Sequence, residues 1–303
     1  MRYIDKSIQR DSFNDYTRQY LHDCWNDTDA CFIPKLGSLD SYRGFSHKKY
    51  KLNKLRNNTP FNGWLDILMQ EHERLCCYCM RRLAPSEVSI EHLVPESFSG
   101  LNEADEIAFY ERYAPEIRRH VMLGGEMDRL AEEEGTVDID ALIRMPHLVA
   151  HSNLFPACDN KIGCSCNNHR GNRRILPMML MEDVNTWMEY NDDGSVSIFH
   201  ADIESAQNTL KYLDLDSGTL KIIRHLWYLF SRIKVCPADD HKYYMPEVDR
   251  LLRQALDVEP TALLPSEYNI FLNFDKKIKE SYYWNLFLKY DWFYGYYSTK
   301  YPL

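Results

Sequence analysis

The sequence predicts an α+β chain, predominantly helical, with one small strand-containing segment stapled by cysteines. Three observations predict it: apolar positions at helical spacing on both flanks, short alternating runs at 87–94 and 187–199, and cysteine pairs bracketing only the first run. With 303 residues, 45% hydrophobic and 27% charged, the chain has length for about two domains, or one with a large insertion. Its 12 Gly and 13 Pro exclude collagen-like and low-complexity classes. No apolar run reaches the roughly 20 residues that span a bilayer, and Met1–Asp15 lacks a secretory apolar stretch. A soluble, cytoplasmic chain without membrane insertion is expected.

Three regions follow. Residues 1–75 form an N-terminal region that ends in a helix from Asn62, with Trp64, Leu65, Ile67, Leu68 and Leu75 as its apolar stripe. Residues 76–174 hold the cysteines and a short strand over Glu87–Val94, interrupted at about 100–146 by an acidic helical insertion between Gly100 and Pro146. Residues 175–303 start with a hairpin turning at Asp193-Gly194. Ser217 then N-caps a helix whose face is Leu220, Ile223, Leu226, Trp227, Phe230 and Ile233. The end of the chain carries 11 aromatic residues over 281–303, a density that suits either core or a docking surface.

The net charge of −9 argues against a nucleic-acid partner until its distribution is read. Between Leu101 and Asp140 there are 12 acidic and four basic residues, so most of the excess is in the insertion. Ser41–Trp64 has Arg43, Lys48, Lys49, Lys51, Lys54 and Arg56 and no acid. Of these, Lys48, Lys49, Lys51 and Lys54 are the candidate nucleic-acid contacts, with an ordinary solvated face as the alternative.

Nine cysteines with no secretory signal point to metal rather than to disulfides. Cys76 and Cys79 have the C-x2-C spacing at which one tight turn aims two thiolates at one ion. Cys158 with Cys166, or with Cys164, supplies the other half of a structural Zn²⁺ site. Small buried core thiols are the competing reading, and Cys24, Cys31, Cys77 and Cys236 are read as core or surface residues.

Around these half-sites lie Ile90-Glu91-His92-Leu93-Val94-Pro95, Asn153-Leu154 and Asn167-Asn168-His169-Arg170-Gly171. In this order, over 76–98 and 151–174, the chain resembles the zinc-containing HNH endonucleases. Met1–Lys6, Glu91–Ser97, Leu213–Leu220 and Arg224 resemble one branch, the PtuB-type HNH proteins of Septu and retron antiphage defence systems. The resemblance implies a ββα-metal core that hydrolyses phosphodiester bonds in DNA or RNA. It implies His92 as general base, Glu91 and Asn167 holding a catalytic Mg²⁺ or Mn²⁺, Asn153 bracing the loop or orienting His92, and Arg170 on a phosphate. The family more often carries Asp where this chain has Glu91. Neighbouring strand residues also face opposite ways, so Glu91 and His92 share a site only near a twisted end. His151 and His169 are the substitutes.

The chain has no G-x4-G-K-[ST] phosphate loop. The resemblance therefore implies a partner ATPase of the PtuA type, and through it a retron reverse transcriptase with its RNA–DNA product. The competing function is a non-catalytic zinc-stapled nucleic-acid-binding or adaptor subunit.

Overall fold

The computed structural model describes residues 1–26, 63–84, 87–95, 103–122, 126, 138–158, 166–232 and 286–302. Helix α1 (Arg10–Asn26) turns Phe13, Thr17 and Leu21 inward, one helical turn apart, and Phe13 stacks on Trp64 at 5.6 Å. Trp64, Ile67 and Leu68 are the buried stripe of α2 (Gly63–Glu71), which packs on α1. The helix is shorter than its apolar pattern. Glu73 and Arg74 take left-handed φ of 50° and 59°, so Leu75 leaves the helix and instead bridges Arg82 across the cysteine turn.

Strand β1 (Val88–His92) falls within the alternating run. The acidic insertion begins with α3 (Glu103–Tyr113) and α4 (Pro115–His120), where Pro115 occupies a first-turn position that needs no N–H. It is more than a solvated excursion. Tyr110, Ala114 and Ile117 are buried, and β2 (Val121–Met122) pairs in parallel with β3 (Met145–Pro146), so Pro146 lies in a strand rather than at a boundary. A 3-10 turn over His151–Asn153 leads into β4 (Leu154–Cys158), which runs antiparallel to β1 with His92 opposite Leu154 and Val88 opposite Cys158. Helix α5 (Cys166–Arg170) packs against β4, completing a local ββα arrangement.

After α6 (Val184–Trp187), β5 (Met188–Tyr190) and β6 (Val196–Ile198) form the expected hairpin. Gly194 has a φ of 82°, and a Cβ there would lie 1.9 Å from the Lys221 carbonyl oxygen, so its turn requires glycine. Helix α7 (Ile203–Tyr212) is capped by Asp202, which accepts from the Ser205 amide. Helix α8 (Gly218–Ser231) follows the Ser217 cap and buries Leu220, Ile223, Leu226 and Trp227. Its partner is the aromatic C-terminal segment, ending in α9 (Trp292–Lys300). Phe287, Tyr290, Phe293 and Tyr297 are buried there, and Phe287 stacks on Trp227 at 4.3 Å. These rings are core, whereas Trp292, Tyr294, Tyr296 and Tyr301 are only partly buried against them. Buried side chains from all these segments form one cluster.

One ionic group sits inside that cluster, under the start of β4. Lys6 Nζ lies 2.8 Å from Glu71 Oε2, 2.9 Å from the Leu154 carbonyl oxygen and 4.5 Å from the centre of the Phe155 ring. His151 Nε2 is 2.7 Å from Glu71 Oε1. Burial, helped by the charge of Lys6, pulls the His151 imidazole down to about 4. Burial also holds His72 well below its ordinary value. Both rings are therefore neutral in the folded chain.

A depressed histidine means that the unfolded chain binds the proton first as pH falls. Stability is then lost between the ordinary value of 6.5 and about 4. His151→Gln is expected to flatten that loss by up to about 1.4 kcal/mol per pH unit, the share of one proton, while His72 leaves a residual slope. Urea unfolding at a series of pH values across this window checks it; an unchanged slope contradicts the assignment.

Candidate metal centre

The first half-site is a turn closed by backbone hydrogen bonds: Cys76 N–H donates to Arg81 O at 2.7 Å and Met80 N–H to Cys76 O at 3.2 Å. Met80 sits at a φ of 61°, the left-handed step that returns the chain after Cys79. Cys158 is the last residue of β4 and Cys166 the first of α5, so the second half-site is carried by two regular elements. The four Sγ atoms are all within 4.8 Å of one another and all four residues are buried. A tetrahedron with Zn–S bonds of about 2.3 Å has edges of about 3.8 Å. Cys79 and Cys158 Sγ are 3.8 Å apart.

The electrostatics of the tetrad favour a cation. Burial opposes ionisation of Cys76, but hydrogen bonds from the neighbouring cysteines outweigh it and hold its thiol well below the usual range. Cys158 and Cys166 go well above it: at Cys158 the bonds to Cys76 and Cys79 and burial overcome the opposing Cys166, and at Cys166 the bonds to Cys158, Cys76 and Cys79 act with burial. The buried thiols are thus pulled in opposite directions. A divalent ion with an affinity for sulfur resolves the conflict by ionising all four, so the residues fit Zn²⁺. Cys166 completes the tetrad, whereas Cys164 lies outside the described residues. Cys77 is a core thiol, pushed up by burial, and its amide donates to Pro156 O at 3.0 Å, tying the turn to β4. Cys31 and Cys236 lie outside the described residues, as do Lys48, Lys49, Lys51 and Lys54.

The other expected site residues surround β1, on two faces. Ser89 and Glu91 face α5: Asn167 Nδ2 donates to Ser89 Oγ at 2.9 Å, and the Glu91 carboxylate contacts the Arg170 guanidinium and accepts from the Tyr78 hydroxyl at 3.1 Å. His92 faces the other way, its Nε2 3.0 Å from the Leu148 carbonyl oxygen. A carbonyl only accepts, so Nε2 carries the hydrogen in the neutral ring and Nδ1 is the basic nitrogen. Asn153 braces the turn that follows. Its Oδ1 accepts from Val94 N–H at 2.6 Å, and its Nδ2 donates to His147 O at 2.7 Å and Val94 O at 3.1 Å.

Two expectations are corrected here. Arg170 does not offer its charge to a phosphate: it is 1% exposed, and besides Glu91 it donates to the carbonyls of His92, Leu93 and Arg173 and contacts the Tyr78 and Tyr110 hydroxyls. Glu91 does not share a face with His92, because strand alternation separates them, and it is 3% exposed with a guanidinium against it. This donor set does not fit a hydrated, oxygen-ligated Mg²⁺ or Mn²⁺ beside His92. Burial pushes the Glu91 carboxyl up while Arg170 pulls against it; Arg170 stays cationic. The substitutes fare no better, since His151 belongs to the Lys6–Glu71 cluster and His169 is exposed, 3.9 Å from Asp214. Among the described residues no second group of three or more His, Cys, Asp or Glu side chains converges as the tetrad does. Sequence reasoning missed Tyr78, Tyr110, Arg81 and Tyr290. Tyr78 lies inside the C-x2-C turn and Arg81 just after it, a local signal, but nothing in the chain announces the other two.

One tightly held Zn²⁺ per chain is expected by elemental analysis of chelator-washed protein, with Cys79→Ser losing both metal and cooperative folding. Arg170→Met is expected to cost about 3–5 kcal/mol in urea unfolding of zinc-loaded protein, because it leaves Glu91 buried and unpaired. The double variant Arg170→Met, Glu91→Gln should recover part of that loss; no recovery would mean that the guanidinium acts through its carbonyl contacts alone. No family model matches this chain, and neither a curated protein nor a solved structure matches it.

Proposed function

We propose that this chain is an HNH-type endonuclease, a phosphodiester hydrolase whose small ββα unit is stapled by Zn²⁺. The observation that carries the reading is the buried cysteine tetrad joining the two segments between which β1 delivers His92. In this reading zinc is structural. With four protein sulfurs it has no open position for water or substrate.

The chemistry falls to His92. Its Nδ1 accepts a proton from water, the water oxygen attacks phosphorus, and the 3′ oxygen leaves with a proton from solvent. Asn153 and Arg170 act before the reaction: one holds the turn at Val94 and the other holds the carbonyls of His92 and Leu93, so the imidazole is presented by a rigid strand end. The Mg²⁺ or Mn²⁺ expected from the resemblance has no part in this mechanism, because Glu91 is engaged by Arg170. The substrate is DNA or RNA, and by its resemblance to PtuB-type proteins the chain is a cytoplasmic toxic effector of antiphage defence, restrained by a PtuA-type ATPase and through it by a retron. Among the described residues no helix is long and apolar enough to cross a membrane.

A second reading is favoured by the same closed Glu91–Arg170 pair: a zinc-stapled nucleic-acid-binding or adaptor subunit without catalysis. Cleavage of single- and double-stranded DNA and RNA by the chain with its ATPase, in Mg²⁺, Mn²⁺ or chelator, separates the two. His92→Ala is expected to lower cleavage at least 100-fold with zinc content and unfolding temperature nearly unchanged, the scale of one positioned general base. Wild-type chain that binds nucleic acid but leaves it intact under all these conditions is the adaptor.

A further inference from the structure

We propose that Arg81 and the Tyr290 hydroxyl form a charge-compensating layer around the tetrad, so that metal retention depends on a residue from the far end of the chain. The inference rests on the four cysteines being a metal centre.

Four thiolates around a divalent ion leave two negative charges in a site where every ligand residue is buried. Such a charge is costly unless donors and cations face it. Peptide N–H groups supply part of the compensation: Cys158 N–H donates to Cys76 Sγ and Cys166 N–H to Cys158 Sγ, both at 3.4 Å. The Tyr290 hydroxyl, 3.8 Å from Cys79 Sγ, supplies another. Arg81 supplies the full charge. It is 3% exposed, its carbonyl closes the cysteine turn, and only its Nη2 has a carboxylate, Glu87 Oε1 at 3.3 Å. That carboxylate is also in contact with Lys289. Nε and Nη1 of Arg81 are buried with no hydrogen-bond partner among the described residues, which is expensive for a guanidinium unless an anion stands nearby.

Tyr290 is fixed to the turn on both sides. Lys289 O accepts from Arg82 N–H at 2.7 Å, and Asp291 takes Arg82 Nε at 2.7 and 2.8 Å. The aromatic tail is thereby both core and part of the wall of the metal centre.

The test uses zinc-loaded, full-length protein and a chromogenic chelator. Arg81→Gln is expected to release zinc ~10-fold faster or more, the usual effect of removing a group that supports a metal ligand, and Arg81→Lys to restore most of the difference. Tyr290→Phe keeps the ring and its packing and should release zinc a few-fold faster. In Co²⁺-substituted protein, the sulfur-to-metal charge-transfer band should shift in Arg81→Gln and Tyr290→Phe, a readout that loss of packing alone does not move. Release rates within twofold of wild type, with unshifted bands in both variants, overturn the proposal. If Arg81→Gln does not fold, Tyr290→Phe decides by the same two measurements. Wild-type protein without stoichiometric zinc would instead remove the metal reading itself, before any variant is compared.

Discussion

The convergence of Cys76, Cys79, Cys158 and Cys166 is the constraint on which the surrounding architecture depends. A tetrahedral ion accepts its ligands in one geometry, and the four sulfurs here arrive on three kinds of backbone: two on a closed turn, one at a strand end and one at a helix start. Holding Cys158 at the end of β4 sets where β4 lies against β1, with Val88 opposite Cys158 and His92 opposite Leu154. Holding Cys166 at the first position of α5 fixes which way that five-residue helix points, and so where Arg170 lands. A helix this short has no stability of its own in water. The cysteine cluster and the guanidinium at its two ends hold it in place.

Buried charge performs the same service elsewhere. Arg170 and Glu91 join α5 to β1, while Lys6 and Glu71 join the N-terminal segment and α2 to the start of β4. Pairs of this kind add little net stability compared with well-packed apolar groups, but losing one partner is costly. They act as brackets with one allowed arrangement. His92 lies between the two brackets, its own carbonyl held by Arg170 and its cross-strand neighbour Leu154 held by Lys6. A rigid strand end is what a single positioned base requires, and it is equally what a binding module would use.

Much of this was legible locally. Cys76 and Cys79 announce a two-sulfur turn through spacing alone, Asp193-Gly194 announces its hairpin because glycine takes the positive φ such a turn needs, and Ser217 with its apolar stripe announces α8. The separation of Glu91 from His92 was also written in the sequence, since adjacent residues of a regular strand face apart. A boundary such as the end of α2 was not legible, because the apolar pattern ran on to Leu75 while the backbone turned left-handed at Glu73 and Arg74 to start the cysteine turn.

By itself, then, the sequence determined those features whose cause lies within a few residues: ligand spacing, strand alternation, caps and turns. Tertiary structure decided what each charge is for. A motif places Arg170 near Asn167 but does not say whether its guanidinium meets solvent or a carboxylate, because that depends on Tyr110 of the insertion and on the carbonyls at the end of β1 closing over it. It likewise decided that Tyr290, over 200 residues from the cysteine turn, faces Cys79. The physical reason is that burial, which turns a surface cation into a structural one and an aromatic tail into core, is a property of the packed chain, set by contacts between segments that have no local trace of each other.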